Sequence, residues 1–238
     1  MNIERVTLFH LRMPLRTPFE TSFGRIETRD CILLEVLADG VPGYGECPAD
    51  YDPGYSYETA QTAWVILRDF IAPQVIGKDL SGPVDFQDKV RAVRGNPMAK
   101  AGFEMALWDI RGKMEGRSMR DLLGGVRQEV DVGVSVGIQE TPARLVQVVE
   151  GYLAQGYQRV KIKIKPGRDV EETWAVRRAF PSLRLQVDAN SAYTLESAAG
   201  LKPLDDLELL LIEQPLAEDD LWDHSKLQAQ FKTPLCLD

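Results

Sequence analysis

Histidine is almost missing from this chain, with only His10 and His224 among 238 residues. Ser-His-Asp and Cys-His catalysis both need a placed imidazole, and zinc centres draw on histidine or cysteine, so these classes have almost no material here. Cysteine is also scarce. Cys31, Cys47 and Cys236 show no C-x-x-C spacing, and an odd count makes no disulfide framework, so a reduced, cytoplasmic setting is expected. Basic charge is in deficit, with 28 Lys+Arg against 36 Asp+Glu and a net charge of −8. Without a basic face, duplex nucleic acid is not an expected partner. The most apolar run, 207–215, contains Glu208 and Glu213 and is too short for a bilayer, so no membrane partner is expected either. The first sixteen residues include Glu4, Arg5, Arg12 and Pro14 and do not form the apolar core of a signal peptide.

What is present is ordinary globular material. A hydrophobic share of 44% and a charged share of 27% argue against disordered or collagenous chains. Residues 3–13 and 31–37 read as strands, and Asp39-Gly40 turns the chain toward Gly43-Tyr44-Gly45-Glu46 as in an antiparallel hairpin. Ala60, Trp64, Val65, Leu67 and Ile71 recur at helical spacing within 57–75, and a second amphipathic run follows Pro97. An α+β domain over 1–125 is therefore expected, bounded near Gly124-Gly125. Over 126–238 the pattern alternates: strands at 130–138, 159–165, 183–190, 207–215 and 235–238, with helices starting at Thr141-Pro142, Asp169, Thr194 and Glu218. Asp169 with Glu172 matches a capping box. Strand and helix alternating without hairpins imply parallel strands and crossover helices.

Lys163, Asp188, Glu213 and Asp238 are spaced 25 residues apart, each at the end of a successive expected strand. In a (β/α) barrel the strand ends share one mouth, so the four converge. A lone acid at such a junction is usually just solvated; three in register beside a lysine are a different matter. Three carboxylates without histidine form a hard oxygen site suited to Mg²⁺, with Mn²⁺ as a substitute. Lys161, Lys163 and Lys165 alternate with Val160, Ile162 and Ile164, so the lysines face the barrel interior and the apolar residues face the helices. A neighbouring cation and desolvation lower a lysine pKa, which makes Lys163 a candidate base with Lys161 as its neighbour. Gly133, Ser135 and Gly137 form a face of small residues that leaves room for a ligand, opposite Val132, Val134 and Val136.

The motifs GVSVGIQ (133–139), KIKIKPG (161–167), VDAN (187–190), IEQP (212–215) and CLD (236–238) resemble the enolase superfamily, and within it the o-succinylbenzoate synthase and N-succinylamino acid racemase group. RTPFETSFG (16–24) and RGNPMAKAGFEMALWDI (94–110) resemble that group's capping domain. The resemblance implies an α/β protein, a capping domain followed by a TIM-type barrel, and a small-molecule carboxylate as substrate. It assigns Asp188, Glu213 and Asp238 to Mg²⁺, Lys163 to acid/base work and Lys161 to the neighbouring cation. Phe19 and Tyr55 become candidate specificity residues, and Ser135 a candidate contact to a substrate carboxylate. It also leans toward a homo-oligomer. The first activity it implies is a synthase that dehydrates a cyclohexadiene carboxylate in menaquinone biosynthesis, the second a racemase. Muconate cycloisomerase and dipeptide epimerase relatives share the lysines and stay open. Family members carry a further Glu after the last metal-binding Asp and a second catalytic lysine on the sixth strand. Neither falls within these 238 residues, so a barrel truncated after about five strands is expected, and an inactive fragment is a third reading.

Overall fold

The computed structural model describes all 238 residues. They divide into two units, one of Met1–Arg16 with Thr28–Gln128 and the other of Thr17–Glu27 with Glu129–Asp238.

β1 (Ile3–Thr21), β2 (Gly24–Ala38) and β3 (Val41–Cys47) form a sheet in that order, and all of it outside Thr17–Glu27 belongs to the first unit. Asp39 and Gly40 both have positive φ, 48° and 74°, the left-handed pair that a two-residue hairpin between right-twisted strands demands. That turn fixes the antiparallel register Ala38↔Val41 through Ile32↔Cys47. β1 and β2 are longer than the apolar pattern predicts, continuing to Thr21 and from Gly24. The helix expected over 57–75 begins at Ala60, since the Thr59 side chain caps it and accepts from Thr62 N. It runs as α1 (Ala60–Val65), a π-helical turn (Ile66–Ile71) and α2 (Ala72–Val75). α3 (Pro83–Lys89), α4 (Pro97–Glu115) and α5 (Met119–Leu122) follow. The buried Glu58 carboxylate accepts from the Met98 and Ala99 amides at 2.7 and 3.1 Å, satisfying orphan donors at the start of α4. α4 lies directly on β3: a Cβ at Gly45 would sit 1.9 Å from the Gly102 carbonyl oxygen. Only glycine permits that approach.

The second unit is a parallel sheet in the order β4 (Gly133–Val136), β5 (Arg159–Lys163), β6 (Arg184–Asp188), β7 (Ile212–Glu213) and β8 (Leu235–Cys236). The crossover helices are α6 (Pro142–Ala154), α7 (Val170–Ala179), a 3₁₀ helix (Ser197–Leu207) and α8 (Leu221–Gln228). Val160, Ile162 and Ile164 are completely buried with Val149, Val176 and Leu185 in one core. Each such side chain contributes roughly 1.5–3 kcal/mol of burial.

Several expectations need correction. Residues 207–211 are not strand. Leu207 ends the 3₁₀ helix, Glu208 turns left-handed at φ 49°, and Arg177 takes the Leu207 and Glu208 carbonyls at 2.7 and 3.1 Å. That helix starts at Ser197 rather than Thr194 and contains Pro203, whose missing N–H breaks an α ladder. The Asp169 and Glu172 box does not form: the Asp169 side chain accepts from Val170 N and from the Tyr193 hydroxyl, and Glu172 pairs with Arg168. α8 starts at Leu221 because the Asp220 side chain caps it. Val132 is exposed, since the 130–138 strand is paired only over Gly133–Val136. No helix is long and apolar enough to cross a membrane.

Candidate active site

Strand alternation on β5 sends Lys161 and Lys163 to the face opposite the core. Parallel register then sets Lys163 beside Asp188 and Asp188 beside Glu213 at the ends of β5, β6 and β7. Lys163 Nζ lies 2.5 Å from Asp188 Oδ2. Lys161 Nζ bridges Asp188 Oδ2 at 3.1 Å and Glu213 Oε1 at 2.7 Å. The Asp188 side chain is 1% exposed and that of Lys163 9%, so two ammonium groups and two carboxylates neutralise one another in a largely dry pocket. Asp188 Oδ1 accepts from the Asn190 amide at 3.0 Å.

Burial alone would raise the Asp188 carboxyl, but Lys163 and Lys161 overcome it and hold it below the usual carboxylate range. Glu213 is pushed up, first by burial, against the pull of Lys161 and with the help of the Asp188 charge. The two acids therefore share their counterions unequally. Burial would lower Lys161, yet hydrogen bonds to Glu213 and Asp188 prevail and raise it. Two carboxylates in contact outweigh burial and one neighbouring ammonium, so Lys161 is held as a cation, the role the sequence gives it beside Lys163.

Asp238 stands differently. Its amide donates to Gln214 Oε1 at 2.8 Å, and no group of three His, Cys, Asp or Glu side chains is gathered closely enough to hold a metal. Burial first, then the charges of Glu213, Asp238 and Asp188 against the pull of Lys161, push the Cys236 thiol up. The donor chemistry fits a hard divalent cation. Asp188 and Glu213 offer oxygens already occupied by positive charge, and the buried Asn190 Oδ1 has no hydrogen-bond partner.

Ser135 and Phe19 line one cavity of about 430 Å³ together with Glu20, Gly137, Arg144 and Arg168. Tyr55 lies in the first unit and is exposed. Neither histidine enters the lysine and carboxylate cluster. His10 meets Asp30 at 2.8 Å, and the buried His224 is held by the Asp220 carbonyl and the Leu216 amide. Sequence reasoning missed Asn190 and Gln214, which have φ of 44° and 38°. Each directly follows or nearly follows a candidate acid, and a polar residue just past a strand end was the available signal. It also missed Glu20, whose partner lies 145 residues away.

Parallel strands joined by crossover helices, with Lys163, Asp188 and Glu213 at consecutive strand ends, have the architecture of part of a (β/α) barrel. The chain belongs to the mandelate racemase and muconate lactonizing enzyme family: residues 3–124 match its N-terminal domain, and residues 144–238 match the enolase C-terminal domain-like family. It is 51% identical over 239 aligned positions to the o-succinylbenzoate synthase of Geobacillus kaustophilus and 49% identical over 238 to the N-succinylamino acid racemase of Thermus thermophilus. A crystal structure of an enolase superfamily member from Listeria innocua superposes with a TM-score of 0.94 at 40% identity. All of this chain and 64% of each of these three proteins are covered, so the chain spans under two thirds of their length.

Proposed function

We propose that the chain carries the proton-handling half of an enzyme that removes the proton next to a carboxylate, and that the whole protein is an o-succinylbenzoate synthase. The observation that carries this is the contact of Lys163 with Asp188 and of Lys161 with Asp188 and Glu213 at consecutive strand ends. In this reading Lys163 first gives up its proton and, as the neutral amine, takes the α-proton at Nζ, while Lys161 stays charged and offsets the developing negative charge on the substrate carboxylate. Asp188, Glu213 and Asp238 would hold Mg²⁺, with Mn²⁺ as a substitute, and the metal would supply charge stabilisation for the enediolate, the pairing of lysine and Mg²⁺ for which the superfamily is known. Phe19, Tyr55 and Ser135 are proposed substrate contacts.

The substrate is a small carboxylate, here the cyclohexadiene carboxylate dehydrated in menaquinone biosynthesis. The identity to the Geobacillus synthase supports this over other members. N-succinylamino acid racemisation is the second reading, favoured by the near-equal identity to the Thermus racemase. A reduced, cytoplasmic setting is part of the proposal, supported by three free cysteines, and so is a homo-oligomer. The domain division proposed is 1–125 for capping and 126–238 for the barrel. The test is turnover of both substrates by the complete protein with Mg²⁺, with and without Lys163→Ala. Synthase turnover lost in that variant is the expected result; turnover of neither substrate by the unaltered protein refutes the proposal.

A further inference from the structure

Three lysines share one face of the β5 segment, yet they divide their partners. Lys161 and Lys163 take the acids at the ends of β6 and β7. Lys165 takes none of these and instead reaches Glu20 Oε1 at 3.0 Å, in the segment Thr17–Glu27 that joins the second unit.

The backbone holding Lys165 is a closed turn. Lys165 N donates to Arg168 O at 3.1 Å and Arg168 N to Lys165 O at 2.8 Å, with Pro166 and Gly167 between them. Gly167 has φ 77°, the left-handed third position of a type II turn that glycine fills without strain. The other end of the turn reaches the loop just after β4: Arg168 Nη2 donates to the Gln139 carbonyl at 2.5 Å. One residue earlier, the Ile138 amide donates to the Glu20 carbonyl at 2.9 Å. The contacts form a ring, from the Glu20 carboxylate through Lys165, the turn, Arg168 and the end of β4 back to the Glu20 backbone. Two further contacts seat the same segment. Ser22 Oγ donates to the Asn190 carbonyl at 2.9 Å just past β6. A Cβ at Gly137 would meet Glu20 O at 3.0 Å and Phe19 Cδ2 at 3.2 Å, so a larger residue would push the segment back by a few tenths of an ångström.

We infer that the Lys165-Pro166-Gly167-Arg168 turn is a clasp that seats Thr17–Glu27 across the ends of β4, β5 and β6, with Lys165 as a positioning residue for Phe19 and not an acid or base. The inference rests on reading those strand ends as the substrate site. Lys165 and Glu20 are each about one third exposed, at 35% and 32%. Their pair therefore shifts the segment's equilibrium modestly and can be exchanged by charge reversal.

The test is amide hydrogen exchange by mass spectrometry on this chain. Lys165→Met should speed exchange of peptides covering 17–27 by roughly threefold to fivefold, the range of a half-exposed ion pair. Peptides covering 184–188 should not change. Lys165→Arg should keep the protection, and E20K/K165E should restore it. In the complete protein with the cyclohexadiene carboxylate, Lys165→Met should raise KM by about the same factor and leave kcat within about twofold. Unchanged exchange in Lys165→Met, or no recovery in the reversed pair, overturns the clasp. A large fall in kcat with unchanged KM overturns the positioning role. If the unaltered complete protein turns over neither substrate, the proposed function fails, while the exchange result still decides the clasp.

Discussion

Lys163 and Asp188 should be strongly coupled in stability even when no metal is present. Their charged atoms are 2.5 Å apart, and both side chains are nearly sealed from solvent. Breaking a buried pair by removing one partner costs about 3–5 kcal/mol, because the other charge is stranded. Lys163→Met falls below that range, at about 2 kcal/mol, since Asp188 keeps Lys161 at 3.1 Å. Asp188→Asn removes the partner of both lysines and should cost about 3 kcal/mol. Once one member is gone the other has little left to lose, so the double variant should also sit near 3 kcal/mol, a coupling of about 2 kcal/mol. The measurement is urea unfolding of the chain and the three variants at pH 7 with a chelator present. The Asp188 carboxyl lies below its usual range in the folded state. Its contribution is therefore complete above the unfolded value of about 3.9 and is lost as pH falls through the folded value. A coupling below about 0.5 kcal/mol at pH 7, the level of an exposed pair, would refute the reasoning that these charges neutralise each other in a dry site.

Other outcomes follow from single contacts. Mg²⁺ titrated into the chain should give a calorimetric binding signal that Asp188→Asn removes; an unchanged signal would place the cation elsewhere. Asp205 accepts from the Lys232 and Thr233 amides at 3.0 and 2.9 Å and from Lys202 at 2.7 Å, so Asp205→Asn should cost about 1–2 kcal/mol at pH 7. Burial opposes ionisation there, but Lys202 and those amides hold the carboxyl well below its usual range. The gap between the two proteins should therefore close as pH falls below about 4, and a gap that is flat with pH in urea unfolding would contradict this. Gly45→Ala forces a Cβ against the Gly102 carbonyl and should cost about 3 kcal/mol or more, read as a lowered midpoint of thermal unfolding.

The strand ends were legible because parallel βα units repeat at a near-constant length, so a spacing of 25 residues carried Lys163, Asp188 and Glu213 to neighbouring positions before any coordinates. The inward lysine face was legible for a related reason: side-chain alternation is a local property of extended backbone, and Val160, Ile162 and Ile164 are fully buried as alternation requires. The Asp39-Gly40 turn was equally local. The 207–211 stretch was not, because its leucines suit a strand, while the chain turns left-handed at Glu208 and Arg177 binds the Leu207 and Glu208 carbonyls from 30 residues away.

The charge state of the site could not be read from residue types. Lys161 is raised because it lies between Asp188 and Glu213, a position set by three strands together. Glu20 was beyond reach as well, since nothing local ties it to Lys165 across 145 positions. Periodicity and turn chemistry act over a few residues, so the chain alone gave most of its elements, their order and the neighbouring strand-end positions of Lys163, Asp188 and Glu213. Ion pairing and desolvation depend on distances between elements distant in sequence, so the partner of each lysine, and with it the division of their roles, was decided only when the sheet and the Thr17–Glu27 segment came together.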